Sequence, residues 1–421
     1  MNPATAHAMV WAISALSIAL MLFRPWGVSE AVWLVSGASF LVLLRLIPVR
    51  AAGHAVAEGS DVYFFLTGMM LLAELASSHG VFDWLSEYAL EHAKGSPARL
   101  FTLIYIAGTA VTVLMSNDAT AVVMTPAVLA AVKRAKTPPL PCLFVCALIA
   151  NAASFVLPIS NPANLVVFRQ TMPSLGPWLA AFALPSAASI FATYGLLRWR
   201  FRNNLEGVCA VPREKLSLSR AGKVALAGIA AMAGVLLLFS AMKKNLGLPA
   251  CAAAVAVAAL VSLLEKENPW RLVRKISWSI LPLVAGLFVI VEAIDRAGAG
   301  AILKQALHAA SRWPQGGALL VIGFTVGTGA NLVNNLPLGL LAGEVLAGGG
   351  FPHAWMKVVM IGIDLGPNLS VAGSLATILW LVALRREGVE VTGWEFLKTG
   401  LLVMPPALLL ALGAALLGRG V

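Results

Sequence analysis

The segment TGMMLLAE at residues 67–74 has a counterpart, AGLFVIVE, at residues 285–292, and each ends an apolar run with one glutamate. Glu74 and Glu292 are 218 residues apart, and each is followed six residues later by a glycine, Gly80 or Gly298. Further on, Ser116-Asn117-Asp118 matches Val333-Asn334-Asn335 at an offset of 217. Then Asn151 and Ser160-Asn161 match Asp364 and Gly373-Ser374 at 213. A shrinking offset is what small loop deletions in a duplicated unit leave.

The composition indicates a protein of the lipid bilayer. Of 421 residues, 59% are hydrophobic and only 12% are charged, whereas in soluble domains about a quarter of the residues are charged. Apolar runs long enough to cross a hydrocarbon core of about 30 Å recur along the chain. The first of them, 8–22, follows no basic region and precedes no obvious cleavage site, which favours a span over a signal peptide.

The predicted fold is an all-α polytopic membrane protein with about ten transmembrane helices and two re-entrant hairpins in two inverted-topology repeats. The hairpins are 98–132 and 315–347, each with two short apolar arms around a polar tip. Two spans, 139–170 and 355–384, carry prolines or glycines midway and are predicted to be discontinuous helices. The expected spans are 8–23, 29–47, 60–78, 139–170, 177–198, 220–241, 247–264, 277–296, 355–384 and 397–417.

Four segments divide the chain in this interpretation. N-terminal spans occupy 1–59, and a first repeat with a hairpin and a broken helix occupies 60–198. A basic cytoplasmic loop with linking spans covers 199–276, and the second, inverted repeat covers 277–421. Polar interruptions inside such repeats predict a substrate site between the two halves, as in secondary transporters.

The net charge of +11 is explained by short basic loops rather than by a nucleic-acid partner. The loops 133–136, 198–223, 266–275 and 385–386 fall on one side of the membrane if the hairpins are re-entrant. The positive-inside rule then places these four loops in the cytoplasm and both termini outside. Arg45 and Arg50 do not fit this orientation.

Ionisable groups within apolar segments are candidates for proton coupling, because each is costly to place in a bilayer. Asp118 stands in a hairpin tip with no Lys or Arg nearby in sequence, and Asp364 stands beside the Gly366-Pro367 break. The alternative for Asp118 is a helix cap, a position that aspartate favours. Glu74 and Glu292 either carry protons or brace the hairpins.

Amide and hydroxyl groups at the tips and breaks are the predicted substrate ligands. Cys142 and Cys146 stand one helical turn apart and could hold a soft metalloid, although a buried cysteine is more often an apolar filler. No resident metal, cofactor or nucleotide-binding loop is predicted, and no catalytic constellation lies within a span. The predicted substrate-binding residues are Ser116, Asn117, Asn161, Asn164, Asn334, Asn335, Ser374 and Thr377.

Four segments carry a resemblance to the ArsB-type arsenite efflux permeases. That family belongs to the ion transporter superfamily, whose members share inverted repeats, two re-entrant hairpins and two broken helices. The likeness spans nearly the whole chain and is greatest over 331–384. The segments are MSNDAT (115–120), LPISNPANL (157–165), GIDLGPN (362–368) and GSLATILW (373–380).

The resemblance implies a proton-coupled exporter of As(OH)₃ and Sb(OH)₃ in the bacterial inner membrane, with an ArsA-type ATPase subunit as a candidate partner. Hydroxyl, amide and carboxyl groups can hydrogen-bond three substrate hydroxyls without a fixed positive charge. The alternatives on the same fold are a sodium–proton antiporter and a sodium-coupled anion or dicarboxylate transporter.

Overall fold

The computed structural model describes residues 2–210 and 217–417, so part of the basic loop, 211–216, lies outside the described residues. The described chain is built of α-helices, one π-helix at Ala119–Met124 and short 3₁₀ helices, and it contains no strand. A helix satisfies its own backbone hydrogen bonds, which lipid cannot do. The predicted all-α fold class is confirmed.

The helices of the first half begin near the N-terminus and end at Arg200. They are α1 (Pro3–Phe23), α2 (Glu30–Leu43), α3 (Val49–Glu58), α4 (Ser60–Ser78), α5 (Val81–His92), α6 (Pro97–Leu114), α7 (Thr125–Arg134), α8 (Leu140–Ala152), α9 (Pro162–Val167) and α10 (Leu175–Arg200).

The helices of the second half follow the central basic loop. They are α11 (Arg220–Ala241), α12 (Gly247–Glu265), α13 (Pro269–Lys275), α14 (Ile280–Arg296), α15 (Ala299–Ala310), α16 (Gln315–Val333), α17 (Asn335–Gly348), α18 (His353–Leu365), α19 (Leu375–Arg386) and α20 (Gly393–Leu417).

The order of elements runs twice along the chain, from α1 to α10 and again from α11 to α20. The joints α3–α4 and α13–α14 are both bent by 45°. Gly80 and Gly298 both adopt positive φ, at 71° and 100°, immediately before α5 and α15. The correspondence therefore extends to α1–α3 and α11–α13, while the four-segment division of the chain stays a prediction.

The paired glycines of the duplicated segment lie where helices of the two halves cross. Helix α4 packs against α12, and α14 packs against α2. A Cβ at Gly68 would lie 2.6 Å from the carbonyl carbon of Ala250, and one at Gly286 would lie 3.0 Å from that of Leu34. Only glycine permits these backbones to approach so closely.

The two hairpins enter the molecule from opposite faces, which makes the topology inverted. At the base of the first hairpin, the carbonyls of Gly95 and Ala135 accept hydrogen bonds from the amides of Cys209 and Ala210 in the basic loop. At the base of the second, Phe351 lines a cavity with Lys243, on the face opposite the basic loops. The hairpin arms are α6 and α7 in the first case and α16 and α17 in the second.

The predicted count of about ten spans is not confirmed. Seven described helices are long and apolar enough to cross a membrane, or up to nine if each bent pair is counted as one span. Two of those seven, α6 and α16, are hairpin arms. Three further apolar helices, α2, α8 and α17, are shorter than a full crossing.

The close approach at Gly68 yields a stability prediction. Gly68→Ala gains helix propensity of about 1 kcal/mol but adds a methyl group where no room exists, which typically costs about 1–3 kcal/mol. We expect a lower thermal unfolding midpoint for the purified protein in detergent. The matched control is Gly234→Ala in α11, because a Cβ there meets nothing within 4 Å. Equal midpoints for both variants would show that the α4–α12 crossing tolerates a side chain.

Candidate functional site

The tips of both hairpins and the breaks of both discontinuous helices meet at one narrow cavity of about 30 Å³, which has room for about one water molecule. Four predicted ligands, one from each tip and each break, contribute polar groups to its wall. The cavity is lined by Val62, Leu66, Asn117, Asp118, Asn161, Pro162, Ile280, Val284, Asn335, Leu336, Ser374, Leu375 and Ala376.

Each break ends in a capping residue that faces the cavity. Asn161 precedes α9, where proline favours the first helical turn, and its Oδ1 accepts a hydrogen bond from the amide of Ala163 at 3.0 Å. Ser374 precedes α19, and its Oγ accepts from the amide of Ala376 at 3.3 Å. The two half-helices therefore begin at the cavity wall.

Asp364 lies directly behind the cavity and joins the two broken helices. Its carboxylate is fully buried and accepts hydrogen bonds from Ser154 Oγ at 2.6 Å and from Asn161 Nδ2 at 2.8 Å. Nearby, Asn151 Nδ2 donates to Asn368 Oδ1 at 3.0 Å, and Asn368 Nδ2 donates to a carbonyl of α8 at 2.9 Å. A buried carboxylate with two direct donors is satisfied without a basic partner.

Asp118 faces the cavity and does not act as a helix cap. The carboxylate has no hydrogen-bond or ion-pair partner within residues 2–210 and 217–417, and it makes no capping bond. Neighbouring side chains satisfy the local amides instead: Ser116 Oγ accepts from Ala119 at 3.2 Å, and Asn117 Oδ1 accepts from Asp118 itself at 3.0 Å. The capping alternative for Asp118 is thus wrong.

A second cavity, of about 120 Å³, extends from Asp118 toward the basic face. Asp118, Ser116 and Pro162 form its inner end, and Glu74 and Lys275 line it as well. Asp118 belongs to the walls of both cavities. The Asp118 carboxyl group therefore has a path toward the basic face.

Hydrogen bonds fix each hairpin tip to the break beside it. The amide of Asn117 donates to the carbonyl of Ser160 at 3.0 Å, and Ser160 Oγ donates to the carbonyl of Val113 at 3.0 Å. In the second half, Asn334 Nδ2 donates to the carbonyl of Ala372 at 3.3 Å. Asn331 adds a bond from its Nδ2 to the carbonyl of Gly366 at 3.0 Å. Each hairpin tip is therefore fixed to the break beside it.

Two predicted substrate ligands lie behind the cavity wall rather than in it. Asn164 is fully buried, and its amide donates to the carbonyls of Ser154 at 2.9 Å and Leu157 at 3.1 Å. Thr377 is also buried, and its hydroxyl has no partner in the part of the chain described. Asn164 therefore closes the first break, and neither residue reaches the cavity in this conformation.

The two repeated glutamates lie toward opposite faces of the molecule. Glu74 accepts from Ser78 Oγ at 2.9 Å and lies 3.8 Å from the Lys275 ammonium, on the basic face. Glu292 forms an ion pair of 2.6 Å with Arg296 on the same helix. Glu74 reaches the second cavity, whereas the structure does not bring Glu292 to either cavity.

Ser154, Asn331 and Asn368 are site residues that the sequence analysis did not single out. Ser154 follows α8 without a motif of its own, and Asn331 has no polar counterpart at the repeat offset of 217, where Leu114 stands. The thiols of Cys142 and Cys146 are buried in α8 and line neither of these cavities. The geometry thus favours the apolar-filler interpretation for both.

Residues 8–362 match the family model described as citrate transporter, CitMHS. The chain belongs to this transporter family. It is also 25% identical to an arsenical pump membrane protein of Escherichia coli over 96% of this chain and 97% of that protein. A protein of the same description from Yersinia enterocolitica is 26% identical over 96% of each chain. The predicted resemblance is confirmed.

The fold has a counterpart among solved structures. The crystal structure of the Alcanivorax borkumensis YdaH transporter, whose title describes an unusual topology, matches with a TM-score of 0.57 at 16% identity. The match covers 89% of this chain and 87% of that one. With the family match and its apolar helices, the CitMHS chain described here is a multi-pass membrane transporter.

The bond between Asn161 and Asp364 yields a pH-dependent prediction. Asn161→Asp keeps a good helix cap but places a second carboxyl group at the 2.8 Å donor position, where the pair must share a proton. The shared proton is lost as pH rises. The thermal unfolding temperature of the variant should therefore decrease as the pH is raised from about 5 to about 8. The control is Asn245→Asp on an exposed loop. An identical pH slope for both variants would contradict this arrangement.

Proposed function

We propose that this protein exports arsenite, As(OH)₃, and antimonite, Sb(OH)₃, from the cytoplasm across the bacterial inner membrane in exchange for protons. The observation that supports the proposal best is the chemistry of the central cavity. Its described lining contains one carboxyl group, Asp118, one hydroxyl group, Ser374, and the amide groups of three asparagines. It contains no lysine, arginine or histidine.

The lining suits a neutral solute better than a multiply charged anion. A citrate or dicarboxylate ion would bring several negative charges beside the Asp118 carboxylate, and like charges close together in a site of low dielectric are strongly unfavourable. A neutral trihydroxide instead needs hydrogen-bond donors and acceptors at several angles, and it enters only when the 30 Å³ cavity widens. Asn117, Asn161, Asn335 and Ser374 provide both kinds. The arsenical pump relatives support an arsenic substrate, whereas the description of the family model names citrate.

Asp118 is the proposed proton carrier of the cycle. Protonation removes its charge, and deprotonation restores an acceptor for a substrate hydroxyl, so substrate and proton compete for one group. Asp364 is the second proposed carrier, and its buried bonds to Ser154 and Asn161 would transmit a change of protonation to the cavity wall. Glu74, beside Lys275, would relay protons to the cytoplasm, whereas Glu292 would serve the opposite face.

The remaining predicted ligands act in this proposal as supports. Asn334 and Asn164 hold the tip and the break through bonds to backbone carbonyls. Ser116 caps the turn that carries Asp118. Thr377, with an unpartnered buried hydroxyl in the described chain, is available to a substrate only if α19 shifts. An ArsA-type subunit would dock on the basic face.

One proton per solute suffices for useful export. Exchange of a neutral solute for an entering proton moves one positive charge inward, which contributes about 2.3 kcal/mol per 100 mV. Because each tenfold ratio of concentrations costs about 1.4 kcal/mol, this free energy sustains a solute concentration ratio of roughly fifty-fold.

The isolation of Asp118 yields the functional prediction. Asp118→Asn preserves size and hydrogen-bonding capacity but cannot carry a proton, so arsenite efflux driven by a proton gradient should fall to background. Expression and the thermal unfolding midpoint should stay unchanged, because the carboxylate has no partner among the described residues. The measurement is arsenic(III) efflux from energised cells. The matched control, Asp83→Asn at an exposed position of α5, should transport normally. Normal transport by Asp118→Asn would remove Asp118 from the coupling step.

A further inference from the structure

Arg169 forms ion pairs that cross the site on the face opposite the basic loops. Among the described residues, no other ion pair crosses the site there. Arg169 lies two residues after α9, and its side chain is 16% exposed. Its guanidinium donates to Glu58 Oε2 and to Glu344 Oε1, each at 2.7 Å. Its Cζ also lies 5.8 Å from the centre of the Phe288 ring. One side chain therefore joins four elements: α3, α9, α14 and α17.

The partners of Arg169 belong to two different packing units. Helices α9 and α17 pack tightly, because a Cβ at Gly343 of α17 would overlap the backbone of Val167. Arg169 and Glu344 are therefore on the same unit, which also carries the cavity residues Asn161 and Asn335. Glu58 and Phe288 belong to α3 and α14, which form the other wall. Glu344 holds the guanidinium, and Glu58 and Phe288 are the contacts that cross between the walls.

In the described part of the chain, the opposite half of the site has no ion pair that crosses between the walls in this way. By the offsets of 213 and 217, Arg169 and Glu344 correspond to Val382 and Ala127. The nearest charged pair there, Glu74 and Lys275, lies on α4 and α13 and is 3.8 Å apart. In that half, the 120 Å³ cavity extends from Asp118 between the two walls. The site thus has a cavity beside Asp118 toward the basic face, and the ion pairs of Arg169 close it toward the other face.

We propose that Arg169 is the gate of the transport pathway on the face opposite the basic loops, with Glu58 as its latch and Glu344 as its support. This inference rests on the proposed transport function only in that a solute must pass this point to leave. Release requires the Arg169–Glu58 bonds to break while Arg169 remains on Glu344. Because the pair is partly exposed, its loss changes an opening equilibrium without unfolding the protein.

The test measures the accessibility of the cavity rather than transport. Leu336 lines the central cavity, and Leu336→Cys, in a chain whose four cysteines are replaced by serine, reports on it. A membrane-impermeant maleimide is added to intact cells or to everted vesicles. With Arg169 and Glu58 present, labelling should be faster from the basic face. Glu58→Gln should raise labelling from the other face by about fivefold, as expected for the loss of one coupling contact.

The matched control is Arg296→Gln. It removes an ion pair of 2.6 Å that joins two residues of α14 alone and crosses between no walls, so labelling should not change. Arg169→Gln serves as a second variant and should raise labelling from the same face, because it removes the crossing contacts to Glu58 and Phe288.

Two results would overturn the gate. In one, Glu58→Gln and Arg169→Gln both leave labelling from the face opposite the basic loops unchanged. In the other, Arg296→Gln raises it equally, which would indicate general loosening. The labelling does not depend on the solute. A gate that responds in a protein that fails to move arsenic(III) therefore supports the latch and contradicts only the proposed substrate.

Discussion

The rest of the site depends on the buried carboxylate of Asp364 and its two direct donors. Ser154 and Asn161 come from the first half of the chain and Asp364 from the second, so these bonds join the two interrupted helices at their weakest points. An interrupted helix in lipid leaves backbone groups without partners, and each such group is costly. The polar network satisfies them with side chains and creates a rigid polar wall on which substrate groups can be held.

The pairing of units across the two halves explains why the cavity lies at the centre. Helices α4 and α14 of the two halves each lie against a span of the other half, at Gly68 and Gly286, and form one wall. Hairpin tips and half-helix starts form the other wall. The central cavity then lies between two parts with few bonds across it. The Arg169–Glu58 bonds are an exception and lie on one side only.

Local signals in the sequence predicted the breaks and tips well, for particular physical reasons. Proline at residues 158, 162 and 367 removes backbone donors, and Asn117 and Asn335 interrupt apolar runs, so each leaves a visible signal within a few residues. The spans followed from hydropathy, although breaks left several of them shorter than a full crossing.

The contacts that complete the site could not be predicted in this way. Asn161 and Asn164 are three residues apart and identical in type, yet one lines the cavity and the other faces backbone carbonyls behind it. The difference is set by where α9 begins and by what packs against it. Likewise, Arg169, Glu58 and Glu344 come together only through the packing of separate helices, and Glu292 pairs with Arg296 at a distance from the cavity.

The most direct test of the central claim is the uptake of arsenic(III) into everted membrane vesicles that contain this protein. The account predicts uptake that is driven by an acidic interior, collapses with a protonophore, and is insensitive to sodium and to excess citrate. Uptake that requires sodium, or that citrate inhibits while being carried itself, would contradict a site built for a neutral trihydroxide exchanged for protons.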